Sequence, residues 1–219
     1  MVSQNYVLGI VASGSGSNLQ SIINAVETKQ INAKIGIVIS NNSKAYCLTR
    51  AKSSGIKTAH LSNFHYPEND NLDQAFISTM ENERVNLVVL AGYMKKRGEV
   101  FVDAFRNRIL NIHPALIPRH CGKGMYGMNV HMSVIESGDA ESGVTIHLVD
   151  EKYDNGEIVA RSRLNVLPDD TPESLQKRVF QLEHKLYPEI IARICRNEID
   201  LDNIPEKYFD VVYVALKKV

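Results

Sequence analysis

Short apolar runs rich in Val, Ile and Leu punctuate the first half of this chain, at Tyr6–Val11, Lys34–Ile39, Thr58–Leu61, Leu87–Leu90 and Arg108–Ile112. They are continuous rather than alternating, the pattern of strands buried on both faces, and longer amphipathic stretches separate them. Such spacing constrains the fold to βαβ units and a mostly parallel sheet flanked by helices, an α/β class. The intervening helices are expected to begin near Asn18, Lys44, Asn71 and Glu99.

After Pro114 the texture changes. Residues Pro118 to Asn129 hold Gly122, Gly124 and Gly127 with few aliphatics, which reads as a long loop, and a short helix is expected at Val130–Ser137. Gly143–Val149 and Glu157–Asn165 alternate as an antiparallel extension of the sheet. Thr171 then caps a helix with Pro172 at its first position, running to about Cys195. A late strand is expected at Tyr208–Leu216. No repeat or linker divides the chain, so residues 1–219 are read as a single domain.

Lys plus Arg and Asp plus Glu balance at 25 each, which gives no field for a polyanion and argues against nucleic acid as partner. No run reaches the length of a membrane span, and Met1–Asn5 lacks the basic and apolar segments of a secretory signal. Cys47, Cys121 and Cys195 are too scattered for a disulfide framework or a metal knuckle, which suits a reducing cytoplasm. His131, His147 and His184 lack metal-ligand spacing and read as structural; no metal is expected.

Three segments carry chemistry. Ser13-Gly14-Ser15-Gly16-Ser17-Asn18-Leu19 joins the first strand to the first helix, where glycines admit an anion to free N–H groups and the positive helix end. Leu19 stands where a dinucleotide fingerprint needs its third glycine, and no Gly-Lys-Ser/Thr follows, so a single phosphate fits better than a dinucleotide or a nucleoside triphosphate. Asn111-Ile112-His113-Pro114 ends the fifth strand, with Asn111 and His113 on one face at the carboxyl edge of the sheet. The amide can donate to a carbonyl oxygen, and the imidazole can move a proton near neutral pH. Asp154-Asn155-Gly156 is either an ordinary turn or the source of a carboxylate that reaches His113 and raises its pKa. Glu183 lies one turn after Val179, facing either the sheet edge or solvent. Lys95, Lys96 and Arg97 form a small basic cluster after the fourth strand.

In that order, together with Gln181-Leu182-Glu183-His184-Lys185-Leu186-Tyr187-Pro188, these segments resemble the phosphoribosylglycinamide formyltransferases over almost the whole chain. The resemblance implies a formyltransferase fold in which a Rossmann-like half (1–113) binds phosphate and a second half (114–219) completes a folate cleft. It implies formyl transfer from 10-formyltetrahydrofolate to 5-phosphoribosylglycinamide in purine biosynthesis, with Asn111, His113 and Asp154 catalytic. Gly16, Ser17, Asn18 and Glu183 would hold the phosphate, ribose and amine. Met94, Lys95, Lys96, Arg97, Asp150, Glu151, Lys152 and Tyr153 would line the folate pocket, with Asn69 where some members carry an Arg for the folate tail. Lys96 and Arg97 replace residues that are often aliphatic in the family, and Phe180 replaces a polar one.

The partners implied are small molecules, with no nucleic acid and no membrane, for a monomer or homodimer in the cytoplasm. A formyltetrahydrofolate deformylase would carry an added N-terminal module and a methionyl-tRNA formyltransferase a basic C-terminal domain, neither expected here. Sugar-nucleotide formyltransferases share the catalytic trio, but the phosphate loop and Glu183 favour the phosphoribosyl acceptor. A non-catalytic binding protein would have no need of the trio.

Overall fold

The apolar runs become five adjacent strands of an eight-stranded sheet, with Thr58–His60 at its edge. The computed structural model of the protein describes residues 5–204 and 209–211. β1 (Tyr6–Ala12), β2 (Ala33–Ser40), β3 (Thr58–His60), β4 (Leu87–Leu90) and β5 (Ile109–His113) pair in parallel in the order β3-β2-β1-β4-β5. β6 (Glu141–Leu148) and β7 (Ile158–Asn165) continue it antiparallel beyond β5. The expected mostly parallel sheet with an antiparallel extension is therefore what forms.

Among the described residues six helices cover the two faces: α1 (Ser17–Glu27), α2 (Tyr46–Ser53), α3 (Asn69–Asn82), α4 (Glu99–Ala104), α5 (Met128–Ser137) and α6 (Pro172–Cys195). Strand side chains alternate between two cores. Leu8, Ile10 and Ala12 pack with Leu19 of α1, Cys47 of α2 and Leu186 of α6. Val11 and Ile39 pack on the other face with Phe76 of α3 and Phe101 of α4. Each fully buried chain of this size, such as Leu8 or Phe76, contributes about 1.5–3 kcal/mol.

Local chemistry sets the ends of these elements. Thr171 accepts from the Ser174 backbone N–H, and the Ser174 hydroxyl accepts in return from the Thr171 N–H, closing a capping box at the expected start of α6. α2 starts at Tyr46 rather than near Lys44, because the Asn42 side chain accepts from the Lys44 N–H and holds an Asx turn ahead of the helix. α5 starts at Met128, two residues earlier than expected, with Gly127 at a positive φ of 58 before it. Of the expected tail strand, Phe209–Asp210 forms β8 parallel to β7; Tyr208 and residues 212–216 lie outside the described residues.

Strand order positions the site. β2 lies on one side of β1 and β4 on the other, so the connections leave β1 and β4 in opposite directions and open a crevice at their carboxyl ends. Tyr187 of α6 ties the two strands together: its hydroxyl lies 3.0 Å from the carbonyl oxygens of both Leu90, which ends β4, and Leu110, near the start of β5.

Candidate active site

A cleft of about 510 Å³ opens along this edge, within the usual range for a small-molecule site. One end is the β1–α1 loop. Gly16 sits at φ 73, and a Cβ there would meet Cys47 at 2.7 Å, so only glycine fits this turn. α1 has no side-chain cap, which leaves the N–H groups of its first turn available to an anion. The loop is tied on several sides: Ser13 N–H donates to Gly92 O, the Met94 N–H donates to Ser13 Oγ, and Arg50 Nε donates to Ser15 O.

Asn18, at the start of α1, turns its side chain inward and donates to Glu183 at 2.8 Å. Of the two positions left open for Glu183, the structure takes the buried one, at 4% exposed. Burial pushes its carboxyl up to about 7, against the lowering effect of the Asn18 hydrogen bond.

The middle of the cleft brings Asn111, His113 and Asp154 together. Asn111 and His113 share a face of β5, and the turn between β6 and β7 delivers Asp154 in the left-handed region, φ 50. Asp154 Oδ2 lies 3.6 Å from His113 Nδ1 and accepts from the Gly122 N–H at 2.9 Å. His113 Nε2 donates to the His120 carbonyl at 2.8 Å. Both partners favour a charged imidazole, yet burial outweighs them and takes the His113 pKa below its ordinary value. The expected rise is thus reversed: Asp154 does pull upward, but His113 is only 3% exposed. Burial would raise the Asp154 carboxyl, but a hydrogen bond from His147 when its Nε2 carries a proton, the His113 charge once that ring is protonated, and the Gly122 N–H together hold it low. At neutral pH the resting pair is a carboxylate beside a neutral imidazole.

His147 is not the separate structural histidine that its sequence position suggests. β5 and β6 pair so that Asn111 faces His147, with His147 Nε2 3.1 Å from Asn111 Nδ2 and 3.5 Å from Asp154 Oδ1. The alternation of Val144, Ile146 and Leu148 into one core puts His147 on the opposite face, and only the strand register reveals what it meets there. His131 of α5 also lines the cleft, fully buried, and neither ring nitrogen has a partner among the described residues; burial takes its pKa down to about 4. His184 stacks on Phe180 at 6.4 Å.

The other end is walled by Met94, Lys95, Lys96, Tyr153, Asp150 and Lys152. Lys96 Nζ lies 5.9 Å from the Tyr153 ring centre. Arg97 borders the cleft but turns away, pairing with Asp73 of α3 at 3.4 Å between the rings of Phe76 and Tyr93. Glu151 and Asn69 are not among the lining residues; Asn69 opens α3 and accepts from Asn63 Nδ2. Among the described residues no group of His, Cys, Asp and Glu is placed to hold a metal ion, and no helix is long and apolar enough to cross a membrane.

Residues 8–191 match the formyl transferase family. The chain is 37% identical over 198 residues to the phosphoribosylglycinamide formyltransferase of Haemophilus influenzae, covering 90% of this chain and 91% of that one. It is 40% identical over 193 residues to the chloroplastic phosphoribosylglycinamide formyltransferase of Arabidopsis thaliana, covering 88% of this chain but 66% of the longer plant protein. The solved glycinamide ribonucleotide transformylase 1 of Symbiobacterium toebii superposes with a TM-score of 0.86 at 32% identity, over 96% of this chain and all (100%) of that one. The phosphoribosylglycinamide formyltransferase of Coxiella burnetii gives 0.82 at 35% identity, over 89% of each chain. The family match runs from β1 into α6 and so takes in every element that borders the cleft: the chain belongs to the formyl transferase family, among the phosphoribosylglycinamide formyltransferases.

Proposed function

We propose that this protein transfers the formyl group of 10-formyltetrahydrofolate to the amine of 5-phosphoribosylglycinamide, a step of purine biosynthesis. One observation carries this reading: a single cleft holds an uncapped helix start at one end and Asn111, His113 and Asp154 at its middle. The phosphate of the acceptor takes the Gly16, Ser17 and Asn18 end. The Asn18 side chain is already committed to Glu183, so Asn18 contributes its backbone N–H. Glu183, titrating near neutrality, faces the ribose and amine. The folate takes the end walled by Met94, Lys96 and Tyr153, where any contact from Arg97 falls to its backbone because the side chain is held by Asp73. Residues 1–113 and 114–219 act here as two parts of one domain, working on small molecules in the cytoplasm.

The acceptor amine, with a pKa of about 8, is readily neutral and attacks the formyl carbon directly. The carbonyl oxygen becomes an oxyanion, stabilised by the Asn111 amide and by His113 as it takes up the proton that the attacking nitrogen releases. The proton released by the attacking nitrogen passes through water held at His113 and Asp154 to the folate nitrogen as its bond to carbon breaks. No covalent enzyme intermediate is required. Incubating the protein with both substrates and identifying the product by mass spectrometry tests the reading. Formylated 5-phosphoribosylglycinamide is expected; recovery of unmodified acceptor beside free formate contradicts it.

A further inference from the structure

His147 meets Asn111 in a geometry that links the proton on one to the orientation of the other. The His147 Nδ1 lies 2.7 Å from the Leu148 carbonyl, an acceptor with no proton to give, so Nδ1 carries the hydrogen. In the neutral ring Nε2 is therefore bare, and at 3.1 Å it accepts from the NH2 of Asn111. That arrangement turns the Asn111 NH2 toward His147 and Asp154, and its oxygen toward the cleft. An amide oxygen facing a developing oxyanion repels it.

A proton on His147 Nε2 reverses the match. Nε2–H then donates, the Asn111 oxygen is the only amide atom able to receive it, and the carboxamide rotates so that its NH2 faces the cleft. Asp154 supplies the counter-charge, with Oδ1 at 3.5 Å from Nε2. The charged and titratable groups facing His147 are Asp154 from the β6–β7 turn and His113 from β5, which competes for the same carboxylate only when it is itself protonated.

We propose that His147 is the positioning residue that decides which end of the Asn111 carboxamide faces the reacting carbonyl. The productive state has the proton on His147 and the Asn111 NH2 turned into the cleft. This rests on the formyl-transfer reading above, since it is the oxyanion of that reaction that needs the donor.

Two measurements separate the positioning role from the reaction itself. Long-range 1H–15N NMR of the free protein follows the His147 ring and the Asn111 carboxamide through a pH titration. The expected result is a neutral ring protonated at Nδ1, with Asn111 resonances moving at the His147 midpoint even if the protein proves to catalyse another reaction. A neutral ring protonated at Nε2, or an Asn111 signal blind to His147, overturns the proposal.

In the formyl-transfer assay, His147→Met removes the partner and leaves Asp154 to draw the Asn111 NH2 inward. It is expected to lower kcat about 100-fold, with both KM values within about threefold of wild type. His147→Gln places an amide near the Nε2 position and is expected to recover at least about tenfold of that loss, with kcat less dependent on pH. Equal kcat in His147→Met and wild type, or His147→Gln no better than His147→Met at matched melting temperature, overturns it. If His147→Met does not fold, the His147→Gln pH profile and the NMR titration decide the matter alone.

Discussion

Asn18 in the first helix donates a 2.8 Å hydrogen bond to Glu183 in the last, closing the phosphate end of the cleft across 165 residues of sequence. Glu183 is raised from its ordinary 4.5 to about 7, so the folded state binds its proton more tightly than the unfolded chain. Its stabilising contribution is complete below pH 4.5 and is lost as pH rises through about 7. Glu183→Gln mimics the protonated form and keeps an acceptor for Asn18. It should match wild type in urea unfolding at pH 4.5 and exceed it by about 2–3 kcal/mol at pH 8.5, while raising the KM for the acceptor. A variant less stable than wild type at pH 8.5 would sink this assignment.

Asn111→Ala, His113→Ala and Asp154→Asn should each lose about 100- to 1000-fold in kcat while remaining folded, the usual cost of one preorganised oxyanion donor or its support. In Asp154→Asn the upward pull on His113 disappears, so its pKa falls further below the ordinary value and the acid limb of kcat, where the imidazole becomes protonated, moves to lower pH. Circular dichroism and rate profiles check this, and near-normal turnover removes that residue from the mechanism.

Much of this architecture is legible in the sequence because it rests on local patterns. Leu87–Leu90 reads as a buried strand from its unbroken aliphatic run, and α6 from Thr171 and Pro172. The phosphate loop follows from Gly16 and its neighbours, since the left-handed turn and the close approach to Cys47 both demand glycine. Relationships between distant segments are hidden. His147 looks solitary until the β5–β6 register sets it opposite Asn111. Arg97 reads as a cleft residue beside Lys96, but Asp73 and two aromatic rings from elsewhere in the fold capture its guanidinium. The net pKa of His113 depends on burial, which no spacing reveals.

His131 makes the protein acid-sensitive. Its pKa falls from 6.5 to about 4 on folding, so between those values the unfolded chain binds the proton and the folded one does not. From pH 6.5 to 4 His131 by itself should remove about 2–3 kcal/mol of stability, opposite in sign to Glu183 over much of the same range. His131→Leu should therefore gain stability relative to wild type between pH 7 and pH 4.5 in denaturant titrations; an unchanged difference between the two proteins at the two pH values would contradict this.

Asp73 and Arg97 form a pair buried to 1% and 8% exposure, at 3.4 Å and without hydrogen-bond geometry between the paired atoms. Removing one charge strands the other, so Asp73→Ala should cost about 3–5 kcal/mol. The double variant Asp73→Ala with Arg97→Leu should recover much of it, because neither charge then remains buried. Chemical denaturation of the single and double variants checks this, and strictly additive losses would refute it.

The central claim is tested most directly by the initial rate of tetrahydrofolate release from 10-formyltetrahydrofolate, with and without 5-phosphoribosylglycinamide. Formyl transfer predicts release that depends on the amine and saturates with it. Release at the same rate in its absence would show hydrolysis instead and contradict the account.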